Sequence, residues 1–84
     1  MKKISSKQLF AEIAGWYGTV AILVAYTLIS FSVISGDDLF FQLLNLTGAL
    51  GIIAIAAYKK VRQSIVLNIF WAGVAIVAII GMIF

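Results

Sequence analysis

Long apolar runs separated by short charged segments dominate this chain. The uncharged runs cover residues 13–36, 39–58 and 63–84 and contain 24, 20 and 22 residues. About 20 apolar residues of helix cross a hydrocarbon core of roughly 30 Å. Because every backbone N–H and C=O must be satisfied within a lipid-embedded segment, each run predicts a transmembrane helix. The pattern therefore predicts an all-α polytopic membrane protein, with three spans in a single domain over residues 1–84.

Turn and capping residues indicate where these helices begin and end. The predicted helices are about Ile13–Ile34, Leu39–Tyr58 and Ile65–Phe84. The first connection is the turn-forming segment 35–38, in which Asp37 or Asp38 is positioned to cap the second helix. The second connection begins at Lys59, and Ser64 is the predicted cap of the third helix. Connections this short predict that neighbouring helices run antiparallel.

The nine charged residues predict the orientation in the membrane. All six Lys and Arg residues lie in the N-terminal segment or the second connection, whereas the first connection carries only Asp37 and Asp38. Cytoplasmic segments carry the Lys/Arg excess of membrane proteins. We therefore expect an integral membrane protein with its N-terminus in the cytoplasm and Phe84 outside. The net charge of +3 favours membrane lipids as partners rather than nucleic acid.

The composition leaves little basis for catalysis. The chain has no histidine and no cysteine, and its three acidic residues, Glu12, Asp37 and Asp38, all lie outside the apolar runs. A nucleophile–base pair, a metal-ligand cluster or an intramembrane proton relay would need such groups. The sequence therefore predicts no enzyme, no metal site and no cofactor.

Small residues mark the predicted contact faces of the helices. Apolar helices gain nothing by hiding from lipid, so they associate through close packing and interhelical hydrogen bonds. The first helix carries small residues at intervals of four, three and four, and the second carries two glycines three residues apart. The predicted helix-packing positions are Ala14, Gly18, Ala21, Ala25, Gly48 and Gly51.

Three amide side chains within the spans, Gln42, Asn45 and Asn68, are the most informative polar residues. Each is costly in lipid unless paired, so each is either a helix–helix clamp, worth about 0.6 kcal/mol, or part of a polar pathway. Trp71 shares a helical face with Asn68 and lies too deep for an interfacial aromatic belt. It is either a packing residue or the flat wall of a pocket. Asn45 and Asn68 lie at different depths, so we do not expect one protomer to bring them together.

Several segments of the chain resemble known families. The chain resembles a group of uncharacterised small three-helix membrane proteins of bacteria. The segments that carry this resemblance are Gly15-Trp16, Tyr26, QLLNLTGA over residues 42–49, SIVLN over residues 64–68, and Trp71. This resemblance covers nearly the whole chain and implies the bacterial inner membrane. At greater distance the layout resembles the SemiSWEET transporters of the PQ-loop superfamily, whose three-helix units pair into a six-helix dimer with a central sugar pathway.

The SemiSWEET resemblance implies roles for particular residues. Asn68 matches an asparagine of the third helix that binds substrate in that family, and Gly48 matches a glycine of the second helix. The position of the family's Pro-Gln motif aligns with about Leu28-Ile29 of this chain, which has no proline. The family also places its N-terminus outside, opposite to the orientation that the charges predict here.

Two functional hypotheses follow from these observations. The first is a SemiSWEET-like three-helix bundle that forms a homodimer and passively transports a small polar or amphipathic solute. The residues expected to line its path are Asn68, Trp71, Asn45, Gln42 and Tyr26. The alternative is a structural or accessory membrane subunit without transport activity, whose polar residues only join helices. A cavity that reaches Asn68 and Trp71 would favour transport, and asparagines bonded within a closed core would favour the accessory role.

Overall fold

Three α-helices make up most of the part of the chain that the computed structural model describes, residues 4–84. They are α1 (Ser6–Ser30), α2 (Leu39–Lys59) and α3 (Arg62–Ile83). Each is long and apolar enough to cross a membrane, which confirms the predicted all-α architecture with three candidate spans. Lys2 and Lys3, on which the predicted orientation partly rests, lie outside the described residues.

The second helix lies between the other two. Within residues 4–84, α2 packs against both α1 and α3, whereas no Cα atom of α1 comes within 8 Å of α3. The three helices therefore form a row rather than a closed triangle. A groove runs between α1 and α3, and α2 forms its floor.

Glycines bring the backbones of α1 and α2 into direct contact. A Cβ added to Gly18 would collide with the carbonyl oxygen of Gly48, and a Cβ added to Gly51 would collide with that of Ala14. These obstacles are backbone atoms, which no side-chain rotation can move aside. Gly18, Gly48 and Gly51 are buried, together with Ala21 and Ala25, while Ala14 is half-buried. Close approach of this kind supplies the packing on which helix association in lipid depends.

Buried alanines indicate where α2 and α3 meet. Ala72 and Ala75 of α3 are buried, and Ala49 and Ala56 of α2 are buried on the central helix. Added Cβ atoms at Gly73 and Gly81 would meet nothing within 4 Å. The glycines of α3 therefore lie outside this contact.

Two polar contacts also join α1 to α2. The hydroxyls of Tyr17 and Thr47 lie 2.7 Å apart. The Thr47 hydroxyl donates its proton to the carbonyl oxygen of Leu43 at 2.8 Å, so Tyr17 is the donor in the contact between the two hydroxyls. At one end of the helix pair, Lys59 Nζ lies 3.5 Å from Glu12 Oε1. This ion pair is exposed, and exposed pairs add little stability. The hydroxyl contact is the more informative of the two, because it lies within the apolar part of the helices.

Removing that hydroxyl gives a direct test of the contact. Tyr17→Phe should lower the free energy of unfolding by about 0.6 kcal/mol, the mean value of an interhelical hydrogen bond in a membrane protein. Tyr26→Phe is the matched control, because the Tyr26 hydroxyl makes no hydrogen bond within residues 4–84 and its loss should have no effect. Reversible unfolding in mixed micelles, followed by circular dichroism, measures both variants. Equal changes in the two would show that the Tyr17 contact contributes nothing.

The first helix differs from its predicted bounds of Ile13–Ile34 at both ends. It begins at Ser6 because the Ser5 side chain accepts a hydrogen bond from the Gln8 N–H at 3.1 Å, which satisfies one of the free donors of the first turn. It ends at Ser30 because Ser32 has a left-handed backbone, with φ of 59°. The N–H of Val33 then bonds back to the Leu28 carbonyl at 2.9 Å, a pattern that closes helix C-termini.

Of the two predicted helix caps, the structure confirms the cap of α2 and corrects the cap of α3. Asp38 caps α2 as predicted, with Oδ1 accepting from the N–H groups of Phe40 at 2.8 Å and Phe41 at 3.4 Å. Ser64, however, does not cap α3, because the helix begins two residues earlier and Val61 occupies the cap position without a side-chain hydrogen bond. Lys60, with φ of 59°, ends α2 in the left-handed conformation, which leaves only a two-residue connection.

Candidate functional site

The groove between α1 and α3 is the candidate site. It encloses about 420 Å³, and the residues that line it are Ile22, Tyr26, Ile29, Phe41, Asn45, Ile52, Ser64, Leu67, Asn68 and Trp71. Four of the five residues predicted to line a solute path are among them: Tyr26, Asn45, Asn68 and Trp71. Asn45 and Asn68 thus line the same groove, which the difference in their predicted depths did not indicate.

Asn45 lies on α2, at the floor of the groove. Only 8% of its surface is exposed, yet its carboxamide makes no hydrogen bond with any residue of the described chain. Every fully buried polar side-chain atom within residues 4–84 has a partner. The Asn45 amide must therefore reach an opening, and the groove is the opening that it lines. Its donor and its acceptor both remain available there.

Asn68 is bonded, but only to its own helix. Its Nδ2 donates to the Ser64 carbonyl at 2.9 Å and to the Ser64 hydroxyl at 3.4 Å. Its Oδ1 accepts no hydrogen bond from residues 4–84, although only 7% of the residue is exposed. Because both contacts lie one turn back along α3, this amide does not join two helices. It offers an acceptor to the groove.

The two asparagines occupy different depths in the groove. Asn45 is the seventh residue of α2 and Asn68 the seventh of α3, and the two helices run antiparallel. With a rise of about 1.5 Å per residue, the two amides lie about 12 Å apart along the helix axes. This separation agrees with the absence of a hydrogen bond between them. The groove therefore has two separate polar positions.

Gln42 is not among the residues that line the groove. Its Nε2 donates to the carbonyl oxygen of Gly36 at 2.7 Å, and only 9% of its surface is exposed. This contact joins the 31–38 connection to the first turn of α2. Within the protomer, Gln42 holds the connection in place.

Aromatic and aliphatic side chains form most of the groove. Tyr26 on α1 and Trp71 on α3 belong to opposite walls, with exposed fractions of 69% and 46%. Phe41 and Ile52 of the floor were not predicted as lining residues. Nothing in the sequence distinguishes them from the apolar residues that face lipid. No Asp, Glu, Lys or Arg within residues 4–84 lines this groove.

Comparison with known proteins identifies a family without assigning an activity. A protein family of unknown function matches residues 11–84, and the chain belongs to it. No curated protein matches the chain significantly. No solved structure matches it significantly either. The resemblance to an uncharacterised family is thereby supported, whereas the resemblance to SemiSWEET transporters finds no support in these comparisons.

Proposed function

We propose that this member of a family of unknown function binds a small solute in the groove and, as a homo-oligomer, carries it passively across the membrane. The observation that carries the proposal is Asn45, a residue more than nine-tenths buried whose carboxamide is unbonded within residues 4–84 and open to the groove. An unpaired amide in an apolar environment is costly. A solute that hydrogen-bonds there offsets this cost.

The alternative role, a structural or accessory subunit, needs polar residues that join helices. Tyr17 makes a contact of that kind with Thr47, and Gln42 fixes the 31–38 connection to α2. Asn45 and Asn68 make no such contact, because one is unbonded within the described chain and the other bonds only within α3. The two amides that face the groove are therefore the ones that helix packing does not explain. This difference favours solute binding over a purely structural role.

An oligomer would complete the path. Because no Cα atom of α1 comes within 8 Å of α3, the backbones of these two helices leave the groove between them open. A second copy placed over this opening would enclose the amides within a six-helix assembly, the SemiSWEET-like homodimer suggested by the sequence. The location proposed is the bacterial inner membrane. Lys7, Lys59, Lys60 and Arg62 are near one end of the helices, and we place that end in the cytoplasm by the positive-inside rule.

Solute flux through proteoliposomes tests the proposal. Liposomes containing the protein should swell faster than empty liposomes in short uncharged diols. Asn68→Ala should reduce that rate about fivefold, the effect of losing one hydrogen bond of about 1 kcal/mol. Gln63→Ala is the matched control, because it removes an exposed amide from the same helix outside the groove and should leave flux unchanged.

Folding and assembly must be measured alongside flux. Circular dichroism and cross-linking show whether Asn68→Ala still folds and forms oligomers. A folded, oligomeric Asn68→Ala protein with wild-type flux would overturn the proposal. Wild-type liposomes that swell no faster than empty ones would also overturn it and would favour the accessory role.

A further inference from the structure

We infer that the groove selects uncharged amphipathic molecules, with an apolar and preferably flat body and a single hydroxyl-sized polar group. This inference rests on the proposed function in taking the groove as the binding site, but it concerns the class of ligand. The sequence predicted a polar or amphipathic solute, and this inference restricts that class to neutral amphipathic molecules. Three properties of the groove support it: the shortage of polar partners, the lack of charge and the placement of the two amides.

The polarity of the lining excludes ligands with many polar groups. Aliphatic residues and Phe41 form much of the surface, and its hydrogen-bonding groups are few: the carboxamides of Asn45 and Asn68, and the polar atoms of Tyr26, Ser64 and Trp71. A sugar carries hydroxyls around its whole ring, and each one that leaves water without a new partner costs binding free energy. A few polar groups, with the two amides about 12 Å apart along the helix axes, cannot satisfy such a ring. A molecule with one hydroxyl and an apolar body loses far less on entering.

The lack of charge in the groove excludes ions. Glu12 and Lys59 pair with each other elsewhere on the molecule, and neither lines the groove. A cation or an anion would therefore enter an apolar environment without a counter-charge, which is strongly unfavourable. The groove should prefer a neutral ligand over an otherwise identical charged one.

The two amides suit a hydroxyl group that changes partner as the ligand moves. Asn45 offers a donor and an acceptor, and Asn68 offers an acceptor, because its donor group bonds Ser64. A hydroxyl both donates and accepts, so it matches either amide. With about 12 Å between the amides along the helix axes, a small ligand contacts one at a time. The rings of Tyr26 and Trp71 supply flat apolar surface for its body.

Quenching of Trp71 fluorescence by brominated ligands tests this inference. In a Trp16→Phe background, Trp71 is the single tryptophan of the chain and reports on the groove. The protein in nanodiscs is titrated with 4-bromobenzyl alcohol, 4-bromobenzylammonium, 4-bromobenzoate and 4-bromotoluene. These four probes share one ring and one bromine and differ in a single group. The Trp71→Phe protein, which retains Trp16, measures quenching by probe that has merely dissolved in lipid.

The alcohol should quench Trp71 with saturation and at least tenfold more tightly than the ammonium or the carboxylate. Asn45→Leu should weaken its binding about fivefold, as loss of one hydrogen bond predicts. Asn45→Ser, which keeps a small hydroxyl, should retain part of the affinity and guards against a folding defect in the first variant. Binding of 4-bromotoluene should not change in either variant.

Other outcomes would overturn the inference. Tightest binding of the ammonium would indicate a cation site. Equal binding of alcohol and toluene, unaffected by Asn45→Leu, would indicate an apolar crevice filled by lipid chains or by a second copy. Equal quenching of Trp71 and Trp16 would indicate partitioning alone. The flux measurement is independent of the binding measurement. Diol transport without selective alcohol binding would contradict only the ligand class, whereas selective binding without any flux would contradict only transport.

Discussion

Gly18→Ala should lower the free energy of unfolding by about 2 kcal/mol, a typical cost of overpacking a close contact. The added Cβ would collide with the Gly48 carbonyl oxygen, and the backbone N of Ile52 lies only 2.9 Å from its position. Neither atom belongs to a side chain that can rotate away. The only relief is a greater separation of α1 and α2, which sacrifices packing along the whole interface. Unfolding in mixed micelles, followed by circular dichroism, measures the loss.

Gly73→Ala is the matched control for this substitution. It makes the same chemical change in a helix, but the new Cβ would meet nothing within 4 Å. Alanine is intrinsically favoured over glycine in helices by up to about 1 kcal/mol, so this variant should be as stable as the parent or more so. If Gly18→Ala proved equally benign, the direct backbone contact between α1 and α2 would be wrong.

Gln42→Leu should also destabilise the protein, by about 1 kcal/mol, the net value of a typical hydrogen bond. Leucine is one bond shorter than glutamine and cannot donate to the Gly36 carbonyl, which would lose its 2.7 Å partner. The 31–38 connection would then be less firmly held on α2, and protease cleavage within it should increase. Unfolding free energy and the rate of cleavage by an added protease measure the two effects.

Asn45→Leu also replaces an amide with an apolar side chain, three residues away, but it should not lower the free energy of unfolding. The Asn45 amide has no partner within residues 4–84, so its replacement by an apolar group removes an uncompensated polar group from the apolar environment. The variant should be at least as stable as the parent while losing affinity for the hydroxyl probe. Equal destabilisation by both substitutions would contradict the different roles given to these two amides.

The three-helix architecture was predictable because it follows from a hard physical requirement. Lipid leaves no alternative partner for backbone groups, so uncharged runs of this length had to be helices. The helix ends were less predictable, because Ser32 and Lys60 adopt left-handed backbones at positions where glycine is the usual signal. Ser5 was overlooked as a cap because it lies outside the apolar run that defined the first span.

The candidate site was predictable in its residues but not in its arrangement. The cost of an amide in lipid singled out Asn45 and Asn68, and depth alone suggested that one protomer would keep them apart. Their common groove arises because α2 lies between α1 and α3, a spatial order that the hydropathy pattern does not encode. Gln42 looked equivalent to Asn45 in sequence. Its role became clear only from its contact with Gly36.

The position of α2 also determines which part of the protein is free to move. Glycine contacts hold α1 and α2 together backbone to backbone, whereas α3 meets α2 through alanine side chains and follows a two-residue connection. No Cα atom of α1 lies within 8 Å of α3, so the backbones of the two walls do not pack against each other. We therefore expect a change in groove width to come from a tilt of α3 about Lys60 and Val61, and not from separation of α1 and α2.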